Sequence, residues 1–220
     1  VMSSCENARD QRTEVRELRE RLLLMAGRVE SMLADAVTSV SEQDKELARA
    51  TIAADRHVNR AEVDMDRLCL QILSRCCLLA PQELRFVTLT LKMVTDLERI
   101  GDLAVNICER VVALRLGGPS GYYREVQRMG DLAGGMVKAA IAAFVAADAE
   151  AAMGVIEQDE EVDALFAEFS AELVAQLGRD AHMAQFGVEM QSVAKWLERV
   201  ADHATNLAQQ VVFPNRREDL

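Results

Sequence analysis

The chain has 220 residues, 50% hydrophobic, 28% charged and only 4% aromatic, with a formal net charge of −11. That composition fits a folded, helix-rich protein of one or two domains and excludes an intrinsically disordered chain. The acidic balance excludes a nucleic-acid partner, whose phosphates want a basic face. With no secretory signal and no uncharged apolar run of about 18 residues, a cytoplasmic protein without direct membrane insertion is expected.

Helical periodicity runs nearly throughout, and no alternating β pattern of useful length interrupts it. The spacing predicts six long helices, at 9–42, 45–78, 82–116, 120–147, 149–177 and 182–213. Asp44 and Asp148 are expected to cap the second and fifth, because a short carboxylate can accept from the free amides of a first turn. Pro81, Pro119 and Pro214 stand where helices start or stop. Along the third helix Leu84, Val87, Leu91, Val94, Glu98, Gly101, Val105, Cys108 and Val112 follow three- and four-residue steps, a core-facing seam that Glu98 interrupts. A lone ionised carboxylate buried there is costly unless paired or coordinated. Gly117-Gly118-Pro119-Ser120-Gly121 is the clearest linker, and the sixth helix repeats the seam in smaller, more polar residues.

The chain is an internal duplication. Met32, Asp44 and Asp55 recur 104 positions later as Met136, Asp148 and Asp159, and Glu98 and Asp102 recur 100 positions later as Glu198 and Asp202. The shortening by four is most cheaply absorbed near Gly178. The expected fold is therefore all-α, two tandem three-helix bundles, with a first domain at 1–117 and a second at 118–220.

The duplicated phrase carries acids. Leu97-Glu98-Arg99-Ile100-Gly101-Asp102 returns as Leu197-Glu198-Arg199-Val200-Ala201-Asp202, followed by Asn106 and Asn206 respectively. Four-residue spacing sets Glu98, Asp102 and Asn106 along one stripe of a helix. If helices two and three run antiparallel, Asp55 and Asn59 approach Glu98 and Asp102, while Asp159 and Asp163 approach Glu198 and Asp202. A cluster of oxygen donors suits hard cations such as magnesium, manganese or iron rather than a structural zinc. His203 adds a nitrogen ligand in the second copy, where the first has Leu103. The bland alternative is a solvated face whose acids pair with Arg99, Arg199, Arg56 and Lys195.

Other residues carry less. Five cysteines without CxxC spacing give no disulfide framework, and Cys69 and Cys76 read as buried small hydrophobes. Met25, Met32, Met93 and Met136 read as core, His57 and His182 as surface. No nucleophile–base constellation is present, so no enzyme is expected. The competing di-metal oxidase or hydrolase would carry Glu-x-x-His pairs, which the chain lacks. A metal-free helical scaffold is the third reading.

With these residues in hand, nearly the whole chain resembles the PhoU family of bacterial phosphate-responsive regulators. Its E(D)-x-x-x-D signature is met at Glu98–Asp102, Glu198–Asp202 and Asp159–Asp163, with Asp55–Asn59 a variant. The resemblance implies two tandem three-helix bundles and multinuclear binding of iron, zinc, manganese or magnesium at each motif face. It implies restraint of phosphate uptake and starvation signalling, through contact with the ATPase of a phosphate ABC transporter and a phosphate sensor kinase. A homodimer, peripherally associated with membrane complexes, is expected on the same basis. Family members often carry His after the last Asp, as at His203. With Leu103 and Asn59, the first site is expected to be the poorer in ligands.

Overall fold

A computed structural model describes the backbone of residues 2–75, 79–113 and 119–215, and the side chains within 12–75, 79–113, 119–180 and 182–212. It contains six helices, α1 (Met2–Glu42), α2 (Lys45–Leu73), α3 (Pro81–Ala113), α4 (Ser120–Ala146), α5 (Ala149–Leu177) and α6 (Ala184–Asn215), the last preceded by a 3-10 turn at Ala181–Met183. No strand occurs among the described residues. The first helix starts earlier than its pattern predicts, at Met2, and the second stops at Leu73. The remainder of the expected second helix, 76–78, and the end of the third, 114–116, lie outside the described residues. The internal repeat is visible in the register. α2 and α5 are both 29 residues long, and the four-residue shortening falls at Gly178, where 178–180 replaces the longer connection 74–80.

Both α1–α2 and α4–α5 turn through the same device. Gln43 and Ala147 adopt left-handed backbone, with φ of 58° and 53°. The amides that follow then close the preceding helix, Asp44 N on Ser39 O at 3.0 Å and Asp148 N on Ala143 O at 2.9 Å. This is the six-to-one bond of a Schellman stop. The same aspartates open the next helix. Asp44 Oδ1 accepts from Glu46 N and Leu47 N at 2.9 and 3.0 Å, and Asp148 Oδ1 from Glu150 N and Ala151 N at 3.0 Å each. Each Asp therefore ends one helix and begins another, as its expected capping role requires.

The two halves pack like against like, α1 on α4 and α3 on α6, while α2 and α5 lie outside, each against its own bundle. One continuous apolar core results, with Met25, Met93, Leu97, Ile100, Met136 and Leu197 all fully buried. Close approach of α1 and α4 depends on Gly130, where a Cβ would lie 2.4 Å from Val37 Cγ2 and 3.1 Å from Val37 Cβ. α4 is long and apolar enough by composition to cross a membrane. Its Val126, Met129, Ala133, Met136, Val137 and Ala140 are instead fully buried within the bundle. Cys69 and Cys108 are buried free thiols, and burial pushes them up to about 12 and about 11, consistent with inert core residues. Cys76 lies outside the described residues.

Two stability changes follow. Gln43→Gly and Ala147→Gly should each raise the unfolding free energy by about 0.5–1 kcal/mol in urea denaturation, since only glycine adopts φ > 0 without steric cost. Gly130→Ala should lower it by about 1–3 kcal/mol despite alanine's better helix propensity, because the stiff Val37 side chain cannot recede within a packed seam.

Candidate functional site

Three neighbours widen the buried arc of α3 to more than half its circumference. Thr90, Met93, Leu97, Ile100, Ala104, Ile107 and Val111 form its centre, with Val87, Val94, Gly101 and Cys108 to one side. The predicted seam was therefore set one residue off. Glu98 does not interrupt the core but borders it, with its side chain 17% exposed. The acids of α2 and α3 meet along this border. Gly101 makes the approach intimate, since a Cβ there would sit 3.7 Å from Asp55 Oδ1 and 3.5 Å from Val58 Cγ1, in ordinary contact.

In the first repeat Asn59 Nδ2 donates to Asp55 Oδ2 at 2.8 Å, leaving the buried Asp55 Oδ1 without a donor. Burial, then the Asp102 charge, pushes the Asp55 carboxyl up against the relief from Asn59. Glu98 is raised by burial, by Asp102 and by Glu62, with Arg99 opposing. Arg99 spans the pair, 3.5 Å from Glu98 Oε2 and 3.5 Å from Asp102 Oδ2. Glu62, itself raised by burial and by Asp66 and Asp102, was missed by sequence reasoning. Its signal was present, because Asp55, Asn59, Glu62 and Asp66 follow four- and three-residue steps along one face. The first face is therefore not poorer in carboxylates than the second, which carries Phe166 and Ser170 at the equivalent places.

In the second repeat Asp159 is raised by burial, then by Asp163, Asp202 and Glu198, with Thr205 opposing. Asp202 is raised by burial, then by Glu198 and Asp163, with Lys195 and His203 opposing. Lys195 Nζ donates to Glu198 Oε1 at 2.6 Å while sitting 5.3 Å from the Phe166 ring centroid. α5 carries eight acids and no Lys, Arg or His, so this face draws little cationic relief from its own outer helix.

The eight core candidates thus sort as expected into two facing sets, Asp55, Asn59, Glu98 and Asp102, and Asp159, Asp163, Glu198 and Asp202. They do not form closed cages. Among the described residues no three His, Cys, Asp or Glu side chains converge closely enough to hold a metal ion as they stand. The additional candidates leave the stripe, because each four-residue step rotates 40° about an α-helix and the third residue has turned through about 80°. Asn206 instead lines a hollow with Asp96 and Lys92 on the α3/α6 side. His203 Nδ1 lies 3.0 Å from Asp96 Oδ1 of the other repeat, a tie between bundles and not the ligand expected beside Asp202. Asn106 is half-buried, one turn beyond Asp102. Arg99 and Lys195 realise part of the ion-pairing alternative. His57 and His182 are exposed, as their isolated settings implied.

Carboxyls raised on folding hold more protons in the native than in the unfolded state between their ordinary range and their folded value. The slope of stability with pH is then negative across that window. In chelator, the melting temperature should therefore climb as pH falls from 7 towards the ordinary carboxylate range. Asp159→Asn should raise the melting temperature at pH 7 in chelator and flatten this dependence, measured by circular dichroism. A melting temperature that falls steadily over that range would contradict the assignment.

Comparisons with known proteins bear on the family and the fold. The sequence profile described as "PhoU domain" matches residues 22–111 and again 126–211. A protein from Pseudomonas putida named "Phosphate-specific transport system accessory protein PhoU homolog" is 35% identical over 94% of this chain and 81% of its own length. A Caulobacter vibrioides protein of the same name is 32% identical over 94% and 90%. The crystal structure of PhoU from Pseudomonas aeruginosa superposes with a TM-score of 0.89 at 33% identity, covering 94% of this chain and 99% of that one. The phosphate transport system regulatory protein PhoU from Streptococcus pneumoniae gives 0.82 at 26%, covering 92% and 95%. Two matched domains, overall identity and the duplicated acidic phrase agree, and the chain belongs to the PhoU family.

Proposed function

We propose that this chain restrains phosphate uptake and phosphate-starvation signalling as a cation-binding accessory protein, not as an enzyme. It would act at the cytoplasmic face by contact with the ATPase of a phosphate ABC transporter and with a sensor kinase. The reading is supported by relatives named as accessory proteins of a phosphate-specific transport system. The observation that carries its cation-binding part is the duplicated set of carboxylates brought together at a half-buried helix border, with Asp55 Oδ1 buried and without a donor. Burial first and neighbouring charge second raise the carboxyls there. A bound cation would offset the repulsion among these carboxylates, in competition with protons for the same oxygens.

The donor set fits a hard cation. It offers carboxylate oxygens, with one amide in the first repeat, and Asp55 Oδ1 is buried without a donor. Asp55, Glu62, Glu98 and Asp102 would hold ions in the first repeat, and Asp159, Asp163, Glu198 and Asp202 in the second, with Arg99 and Lys195 giving way. Such an ion would supply positive charge that cancels repulsion between α2 and α3, or α5 and α6. Binding to the folded chain alone then stabilises it by mass action. Occupancy thereby stiffens the outer helices, which are the surfaces free to meet a partner.

Elemental analysis of the purified protein tests the metal. Glu198→Ala with Asp202→Ala should lower bound metal by about half and abolish part of the cation-induced rise in melting temperature. Metal content unchanged by the double substitution would count against the site. For the regulatory part, the chain should restore restraint of phosphate uptake in cells lacking their own copy. Failure to do so while binding metal normally would separate the two claims.

A further inference from the structure

The seam where α3 meets α6 has two ends that the internal repeat makes equivalent, and they are built differently. At one end the Arg110 guanidinium lies 5.4 Å from the centroid of the Trp196 ring and 3.1 Å from Glu189 Oε2. The corresponding positions at the other end, 100 residues away, are Gln210, Asp96 and Leu89. Exchanging an indole, a guanidinium and a carboxylate for these shorter side chains leaves a crevice of about 500 Å³ beside Lys92, Asn206 and Gln209. Leu89 and Gln210 also line an adjoining hollow of about 400 Å³, together with Arg19, Gln82 and Arg85. Both hollows open widely to solvent, so a ligand there would lie along the helix surface with one side exposed.

The chemistry of the walls is specific. Arg19, Arg85 and Lys92 line the two hollows of a protein whose formal charge is −11, Arg19 lying 4.7 Å over the Phe86 ring and Lys92 on an exposed side chain. The one acid among the lining residues, Asp96, has both oxygens engaged. Its Oδ1 lies 3.0 Å from His203 Nδ1 and its Oδ2 accepts from Gln210 Nε2 at 3.0 Å. That second bond fixes the Gln210 amide and leaves its Oε1 buried without a donor. A buried carbonyl in that state seeks an N–H or O–H. The amides of Asn206 and Gln209 add donors and acceptors alongside.

A ligand satisfying these walls has an anionic end and a polar edge that donates hydrogen bonds. We propose that the α3/α6 crevice binds a nucleoside phosphate, its phosphates against Lys92 and Arg19 and its base edge against Gln210, Asn206 and Gln209. Inorganic phosphate satisfies the cations but fills little of the crevice. The hollows share no residue with either set of facing acids, and the inference does not rest on the metal reading.

Calorimetric titration of the full chain in chelator, so that the acidic faces hold no metal, tests it. The probes are ATP, GTP, CTP and AMP, with inorganic phosphate and pyrophosphate titrated separately. At least one nucleotide should saturate below about 1 mM and bind about tenfold tighter than either inorganic anion. Lys92→Glu, on an exposed side chain, should weaken it about tenfold with an unchanged melting temperature. Grafting the filled end onto the open one, by Asp96→Trp, Leu89→Glu and Gln210→Arg together, should abolish binding. The proposal is overturned if no nucleotide saturates, if inorganic phosphate binds as tightly, or if affinity survives Lys92→Glu.

Discussion

Packing α1 on α4 and α3 on α6 makes each repeat complete the other's core, and most of the molecule follows from that contact. A helix with one neighbour needs only a narrow apolar stripe, whereas α3 and α6 each face helices of both repeats. Leu97 and Ile100, with their counterparts Leu197 and Val200, are fully buried as a result. Polar side chains that must stay near α2 and α5 are pushed to the margins of the arc. Glu98 and Glu198 occupy those margins, at 17% and 13% exposure. They are dry enough to feel their neighbours' charge, yet reachable by an ion from solvent.

The two acidic faces solve one electrostatic problem in different ways. Both bring carboxylates together at a half-dry helix border, where like charges raise one another's proton affinity. In the first repeat an amide, Asn59, and a bridging Arg99 soften the repulsion, while Glu62 and Asp66 lengthen the acidic stripe. In the second, Phe166 and Ser170 stand where Glu62 and Asp66 do, and Lys195 leans over Phe166 to reach Glu198. Divergence has thus moved the charge about without removing it. Neither local cation is rigidly committed, since the Arg99 and Lys195 side chains are each at least half exposed, and exposed pairs of this kind contribute little.

Helix number, the capping aspartates and the position of the deletion were all legible, because each rests on local rules that a repeat states twice. Asp44 and Asp148 are the clearest instance. The left-handed Gln43 and Ala147 were not legible, since neither is the glycine or asparagine that normally marks such a stop. The paired sets Asp55/Glu98 and Asp159/Glu198 could be read from spacing and antiparallel order. Glu98's position at the border could not, because a three-and-four-residue step pattern fits two adjacent faces of a helix equally well. Only the neighbours decide between them, and the contact of α3 with α6 is long-range information. His203 shows the same limit. Its place beside Asp202 marked it as a ligand, while its contact with Asp96 of the other bundle depends on a packing that no local pattern encodes.

That contact also sets the two ends of the α3/α6 seam apart. His203 and Asp96 meet at one end of the α3/α6 seam. The equivalent residues at the other end are Leu103 and Trp196, with Leu103 3% exposed. At that end the two repeats are tied instead by Arg110, 3.1 Å from Glu189 Oε2 and lying over the Trp196 ring. The tie across the seam thus changes from a histidine–carboxylate contact at one end to an arginine–carboxylate pair at the other. Because the seam belongs equally to both repeats, that exchange distinguishes its ends without disturbing either bundle's own core.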